Sequence, residues 1–146
     1  MENEIHFKHT FPVQLRFSDV DQFGHVNNSV YFSLYDLAKT TYLRDVLGIT
    51  KIDRLGMVVA NVNANFLSPM FFTDEIVVQT AMIHLGTKSF TLLQRAMCPA
   101  TGEVKCECRT VMVMYDVKEL LPVEIPMEYK EAVCKYEEKE LSELSK

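Results

Sequence analysis

No apolar run in this chain approaches the roughly 18 residues that would span a bilayer. Nor is there a surplus of basic charge. Fifteen Lys and Arg stand against 20 Asp and Glu, a formal net charge of -5, which argues against generic binding to nucleic acid or an anionic membrane. The opening MENEIHFKHT lacks the basic flank and apolar core of an export signal. Cysteine is sparse: Cys98, Cys106, Cys108 and Cys134 form no Cys-x-x-Cys pair, so zinc and disulfide readings are both weak and the expected location is cytoplasmic. Repeats, low-complexity tracts and linkers are missing as well. What remains is 146 residues of ordinary globular composition, 48% hydrophobic and 24% charged. That length suits a single domain able to bury one core.

The patterning predicts one long helix among strands. TFPVQLRFS (10–18) reads as a first strand, with Val13, Leu15 and Phe17 alternating against Gln14 and Arg16. From Asn28 to Leu47, Tyr31, Leu34, Tyr35, Ala38, Tyr42 and Val46 recur at helical steps. Gly48 offers a stop, and the apolar face is wide enough that the helix should be largely buried. In MVVANVNANF (57–66) Val58, Ala60, Val62, Ala64 and Phe66 alternate with asparagines, the period of a strand. DEIVVQTAMIHL (74–85), SFTLLQRAMC (89–98) and EVKCECRTVMVMY (103–115) follow, joined by the GTK and PATG turns. A terminal helix opens at Pro126 and runs to about 145, its charged end fraying into solvent. The fold class is therefore α+β, a curved antiparallel sheet (core about 11–125) wrapped around one long helix. Its other face is too apolar to stand in water, so an oligomer is expected.

DVDQFGHVNN (19–28), at the mouth of that helix, admits four readings. As a calcium loop it fails, because Phe23 and Val30 stand where an oxygen ligand and a glutamate are needed. As a transition-metal site it offers only Asp19, Asp21 and His25, with no second histidine at helical spacing, so no metal is expected. As a capped turn it accounts for Asn28 as a cap, or Asn27, and for Gly24 as an unusual backbone conformation. It does not account for two acids and a histidine crowding one helix start. The fourth reading is catalytic. Unpaired amides at a helix N-terminus can hold a carbonyl oxygen that is becoming an oxyanion, while an acid across the turn attacks or activates water.

RFSDVDQFGHVNNSVYFSLYDLAK (16–39) resembles the Asp-x-Asp-x-x-Gly-His-Val-Asn-Asn signature of hotdog-fold thioesterases of the 4-hydroxybenzoyl-CoA thioesterase-like family. The resemblance extends through NANFLSPMFFTDEIVV (63–78) and LGTKSFTL (85–92). It implies a hotdog sheet around its helix, dimers or tetramers, hydrolysis of an acyl-CoA and no cofactor beyond the coenzyme A of the substrate. Carried over, it makes Asp21 the nucleophile or base and the amide near Asn28 the oxyanion donor. Gly24, His25, Val26 and Asn27 shape the turn, and Lys88 and Ser89 are candidates for the coenzyme A phosphates. Asn63 and Asn65 are candidates for the groove. Some relatives carry His in place of Asn28 and Tyr in place of Phe17, so a His- or Tyr-assisted mechanism is not expected. Another hotdog branch sets its acid inside the helix, where Asp36 ranks behind Asp21. Asp19 reads as structural. Rival functions are an acyl-carrier-protein thioesterase, a non-catalytic acyl-CoA binding module, and a hydratase. Hydratase chemistry needs a histidine paired with an acid for proton abstraction, an arrangement of a kind not seen at this helix start.

Overall fold

The computed structural model describes residues 5–49 and 55–146; the opening residues 1–4, on which the export-signal reading partly rests, lie outside them. Strands β1 (His9–Val13), β2 (Leu55–Phe66), β3 (Ile76–Leu85), β4 (Ser89–Cys98), β5 (Glu103–Asp116) and β6 (Leu121–Pro122) form one antiparallel sheet. Its order is β1-β3-β4-β5-β2, with β6 added to β5. Helix α1 (Asn28–Leu47) lies against one face, and α2 (Met127–Glu137) and α3 (Leu141–Leu144) close one end. This is the α+β hotdog architecture.

Alternation in the central strands builds the floor beneath α1. Cys106, Cys108, Thr110, Met112 and Met114 of β5 are buried, as are Phe90, Leu92, Gln94 and Ala96 of β4. Tyr31, Leu34, Tyr35, Ala38 and Tyr42 descend onto them from α1. The floor has a polar centre, where Gln94 Nε2 donates to the Tyr35 carbonyl at 3.0 Å and to Thr80 Oγ1 at 3.1 Å. That anchors the middle of the helix to two strands.

Both ends of α1 follow from local chemistry. Asn27 takes the cap, its Oδ1 accepting from Ser29 N at 3.0 Å. Asn28 is thus the first helical residue and not the cap. Gly48 closes the helix at φ 72, a left-handed conformation that glycine adopts without a Cβ clash, and its N–H donates to Arg44 O. One expectation fails along α1: Phe32 and Leu37 are exposed, so the flanks of the apolar face are open.

Two strand expectations and one helix expectation also need correction. The first strand stops at Val13, because its partner β3 begins at Ile76, opposite Val13. Phe17 enters a 3-10 turn (Phe17–Asp19) and is 83% exposed. In β2 a bulge lies between Val59 and Asn61. Met57 and Val59 pair with Met114 and Met112, while Val62, Ala64 and Phe66 pair with Thr110, Cys108 and Cys106. The extra residue, Ala60, switches the face that carries the apolar side chains, so Val58 points away from α1. Finally, the terminal helix breaks at Glu138, at φ 55, and α3 folds back to bury Leu144 instead of fraying.

Candidate active site

The connection from β1 to α1 folds into a tight turn in which each acid has a different task. Asp19 is buried, accepting from Arg16 N at 2.8 Å and from Arg16 Nη2 at 3.4 Å. Its carbonyl accepts from Asn27 N at 2.9 Å, which sets the cap residue in place. Asp21 is exposed. Its Oδ1 accepts from Phe23 N at 2.9 Å and from His25 N at 3.2 Å, and its N–H donates to His25 O at 2.8 Å. The carboxylate is therefore oriented through one oxygen, while Oδ2 receives no hydrogen bond from the described residues. Gly24, at φ 81, supplies the left-handed step that lets the chain reverse between them.

The turn is docked on the loop between β2 and β3. Val26 N donates to Met70 O at 2.7 Å, His25 pairs with Phe71, and their rings meet edge-on at 4.9 Å. A cavity of about 170 Å³ opens beside the helix start, lined among others by His25, Val26, Asn28, Tyr31, Phe66 and Met70. Tyr31 and Phe66 stack edge-to-face at 5.2 Å in its wall. Burial pushes the Tyr31 hydroxyl up to about 12, so it stays neutral and serves as wall rather than base. At the start of α1, Ser29 N is taken by Asn27 Oδ1 and Val30 N by Asn27 O. The Asn28 amide has no acceptor among the described residues. An open amide at a helix N-terminus can stabilise developing negative charge on a carbonyl oxygen, and a carboxylate oriented through one oxygen leaves the other available as nucleophile or base.

Of the residues expected at the site, Asp21, Gly24, His25, Val26, Asn27 and Asn28 are gathered here. Asn63 and Asn65 are not. They pair with Arg109 and Glu107 on the face away from α1, because the pleat that turns Ala64 and Phe66 toward the helix turns the asparagines outward. Lys88 and Ser89 lie at the other end of the β3–β4 hairpin, where Met114 N donates to Lys88 O. Ten-residue strands separate them from the turn, roughly 30 Å. The inner acid Asp36 is exposed and pairs with Lys39 Nζ at 3.1 Å. Among the described residues no three His, Cys, Asp or Glu gather to hold a metal ion, and no helix is long and apolar enough to cross a membrane. Sequence reasoning passed over Phe71, Asp74 and Lys105. Phe71 and Asp74 both sit inside the motif segment 63–78, but nothing local to Lys105 marks it.

A family model described as the thioesterase-like superfamily matches residues 15–133. The chain belongs to that superfamily. Among solved structures, this thioesterase-like chain is similar to the PA5185 protein of Pseudomonas aeruginosa strain PAO1. They share 26% identity, with 89% of this chain and 92% of that one covered, at a TM-score of 0.81. It is also similar to a thioesterase of Thermus thermophilus solved with coenzyme A and Zn, at 26% identity, covering 92% and 98%, with a TM-score of 0.79. A Bacillus subtilis (strain 168) protein, YsmA, described as uncharacterized, is 26% identical over 80 residues, 55% of this thioesterase-like chain. The match spans about half, 54%, of that protein's length.

Proposed function

We propose that the protein hydrolyses acyl-CoA thioesters to a carboxylic acid and free coenzyme A. The observation that carries this reading is the pairing of Asp21, oriented through Oδ1 alone, with the unclaimed Asn28 amide across one docked turn. The amide polarises the thioester carbonyl as its oxygen gains charge. Asp21 either attacks the carbonyl carbon or draws a proton from the water that attacks it. In the first case an anhydride forms as the C–S bond breaks, and water then hydrolyses it to free the acid and the carboxylate. In both cases the thiolate leaves and is protonated. The acyl group sits against Tyr31, Phe66 and Met70. Superfamily membership and the coenzyme A carried by the Thermus thermophilus relative support the substrate class.

The working unit in this reading is a homodimer. β2 is an edge strand of 12 residues without a charged side chain, and Val58, Val59 and Val62 are exposed along it. Antiparallel pairing of two such edges sets the Leu55 end of one beside the Phe66 end of the other. That brings the strands bearing Lys88 and Ser89 of the partner subunit toward the Asp21 turn, where a phosphate-bearing substrate would meet them. Thiol release measured over hexanoyl-, palmitoyl- and benzoyl-CoA tests the reading. Turnover of at least one, undiminished by EDTA, is expected. Binding without thiol release would make the chain a non-catalytic acyl-CoA module.

A further inference from the structure

Lys105 is a lysine kept from water. It is 6% exposed near the start of β5, next to the bulge that shifts the β4–β5 register between Ala96 and Met97. Its ammonium lies 3.6 Å from Asp74 Oδ2 and bonds Glu103 Oε1 as well. An ammonium is costly to bury unless countercharges and hydrogen bonds surround it. Here the countercharges are part of a larger grip. Asp74 Oδ2 also accepts from Phe71 N at 2.8 Å, and Asp74 N returns a bond to Phe71 O at 3.0 Å. At the other end of the same loop, Lys105 O accepts from Leu67 N at 2.9 Å and Ser68 N at 3.1 Å. One residue thus holds both ends of the segment 67–74, the first through its carbonyl and the second through its side chain.

The middle of that segment is what the catalytic turn rests on. Met70 O receives Val26 N, Phe71 bridges to His25, and Gly24 O receives Phe72 N at 3.4 Å. His25 in turn bonds Asp21 through both backbone and carboxylate. An unbroken path therefore runs from Lys105 through Asp74, Phe71 and His25 to Asp21. We propose that Lys105, acting through Asp74, is a positioning residue for thioester hydrolysis. It sets the 67–74 loop so that the Asp21 carboxylate and the Asn28 amide keep their reacting geometry. The proposal rests on the thioesterase reading above. The Glu103 contact holds the Glu103 carboxyl below its usual range and the Lys105 ammonium above its own, so Lys105 carries its charge at ordinary pH.

The test uses the full chain and the variants Lys105→Met, Lys105→Arg and Asp74→Asn, assayed with hexanoyl-CoA and benzoyl-CoA. Misplacing reacting groups from a distance can lower rate by up to about a hundredfold. Lys105→Met and Asp74→Asn are expected to lower kcat by roughly 10- to 100-fold with KM nearly unchanged, and Lys105→Arg to restore most of it. Amide exchange at Phe71, His25 and Val26 should quicken in Lys105→Met and not in Lys105→Arg. If Lys105→Met melts early yet keeps its kcat, the pair is only a fastening of the hairpin and the proposal is overturned. Should Lys105→Met fail to fold, Asp74→Asn, which preserves volume, decides by the same split. If wild type turns over none of hexanoyl-, palmitoyl- and benzoyl-CoA, the thioesterase reading has failed. If Asp21→Asn is fully active, only the assignment of Asp21 has, and the positioning proposal falls with it. Exchange separates the two failures. Quicker exchange in Lys105→Met without any wild-type turnover means that Lys105 holds the loop but the thioesterase reading is wrong, and unchanged exchange overturns the positioning role itself.

Discussion

Asp19 keeps its carboxylate on Arg16, with the side chain 5% exposed, whereas Asp21 faces solvent with a single oxygen tied to its own turn. This difference predicts opposite mutant behaviour. Asp21→Asn should cut thiol release at least ~10²-fold, the scale of losing a positioned acid–base group, while the melting temperature stays near wild type. Asp19→Asn should leave most of the turnover and lose roughly 1 kcal/mol of stability, read as a melting temperature lower by about 2–4 °C. Equal losses of activity, with both variants melting early, would mean that the stretch is a structural turn. The turn that carries Asp21 was legible in the sequence because the motif places two acids, a glycine and two asparagines at fixed spacing. The cap was legible only to within one residue. Asn27 and Asn28 are chemically alike, and the extended backbone of Asn27, at φ -62 and ψ 136, decides between them. Lys105 was invisible for a different reason: its partner Asp74 reaches it only after β3, β4 and β5 have paired.

At the scale of elements, α1 was the most legible, since period, cap and a glycine stop all act locally. β2 was misread because Val58, Val59 and Ala60 are all apolar, so the bulge leaves no break in the pattern. A C-terminal helix was legible, but neither its break at Glu138 nor its attachment was. The anchor is Glu137, a buried carboxylate on α2 whose Oε2 accepts from Tyr42 Oη at 2.5 Å and from Met82 N at 2.9 Å. It ties α2 to both α1 and β3, close to the bulge between Met82 and His84. Glu137→Ala strands a buried hydroxyl and a buried amide. It should cost roughly 3 kcal/mol, seen as a lower urea midpoint. Because this anchor sits near the C-terminal end of α1, far from Asp21, turnover of the folded variant should remain close to wild type at low temperature. A wild-type midpoint would show that α2 is held by its apolar contacts instead.

Over the whole molecule, the two edges of the sheet are built differently. β1 is five residues long and carries Pro12, which cannot donate a ladder hydrogen bond. β2 is 12 residues long with neither proline nor charge. Sedimentation at micromolar concentration should therefore find a dimer or a larger even assembly, and Val58→Lys together with Val62→Lys should shift it toward monomer. A wild-type monomer at that concentration would count decisively against β2 pairing. Which edge of the sheet stays open depends on strand order, which the pattern of the individual strands does not encode. The same open edge also makes renaturation a competition. A newly folded chain offers an uncharged template to every other chain in solution, and out-of-register addition is second order, just as correct association is. If β2 pairs with its copy as proposed, dilution cannot favour one over the other, so recovery depends on how specifically the two identical strands find one register.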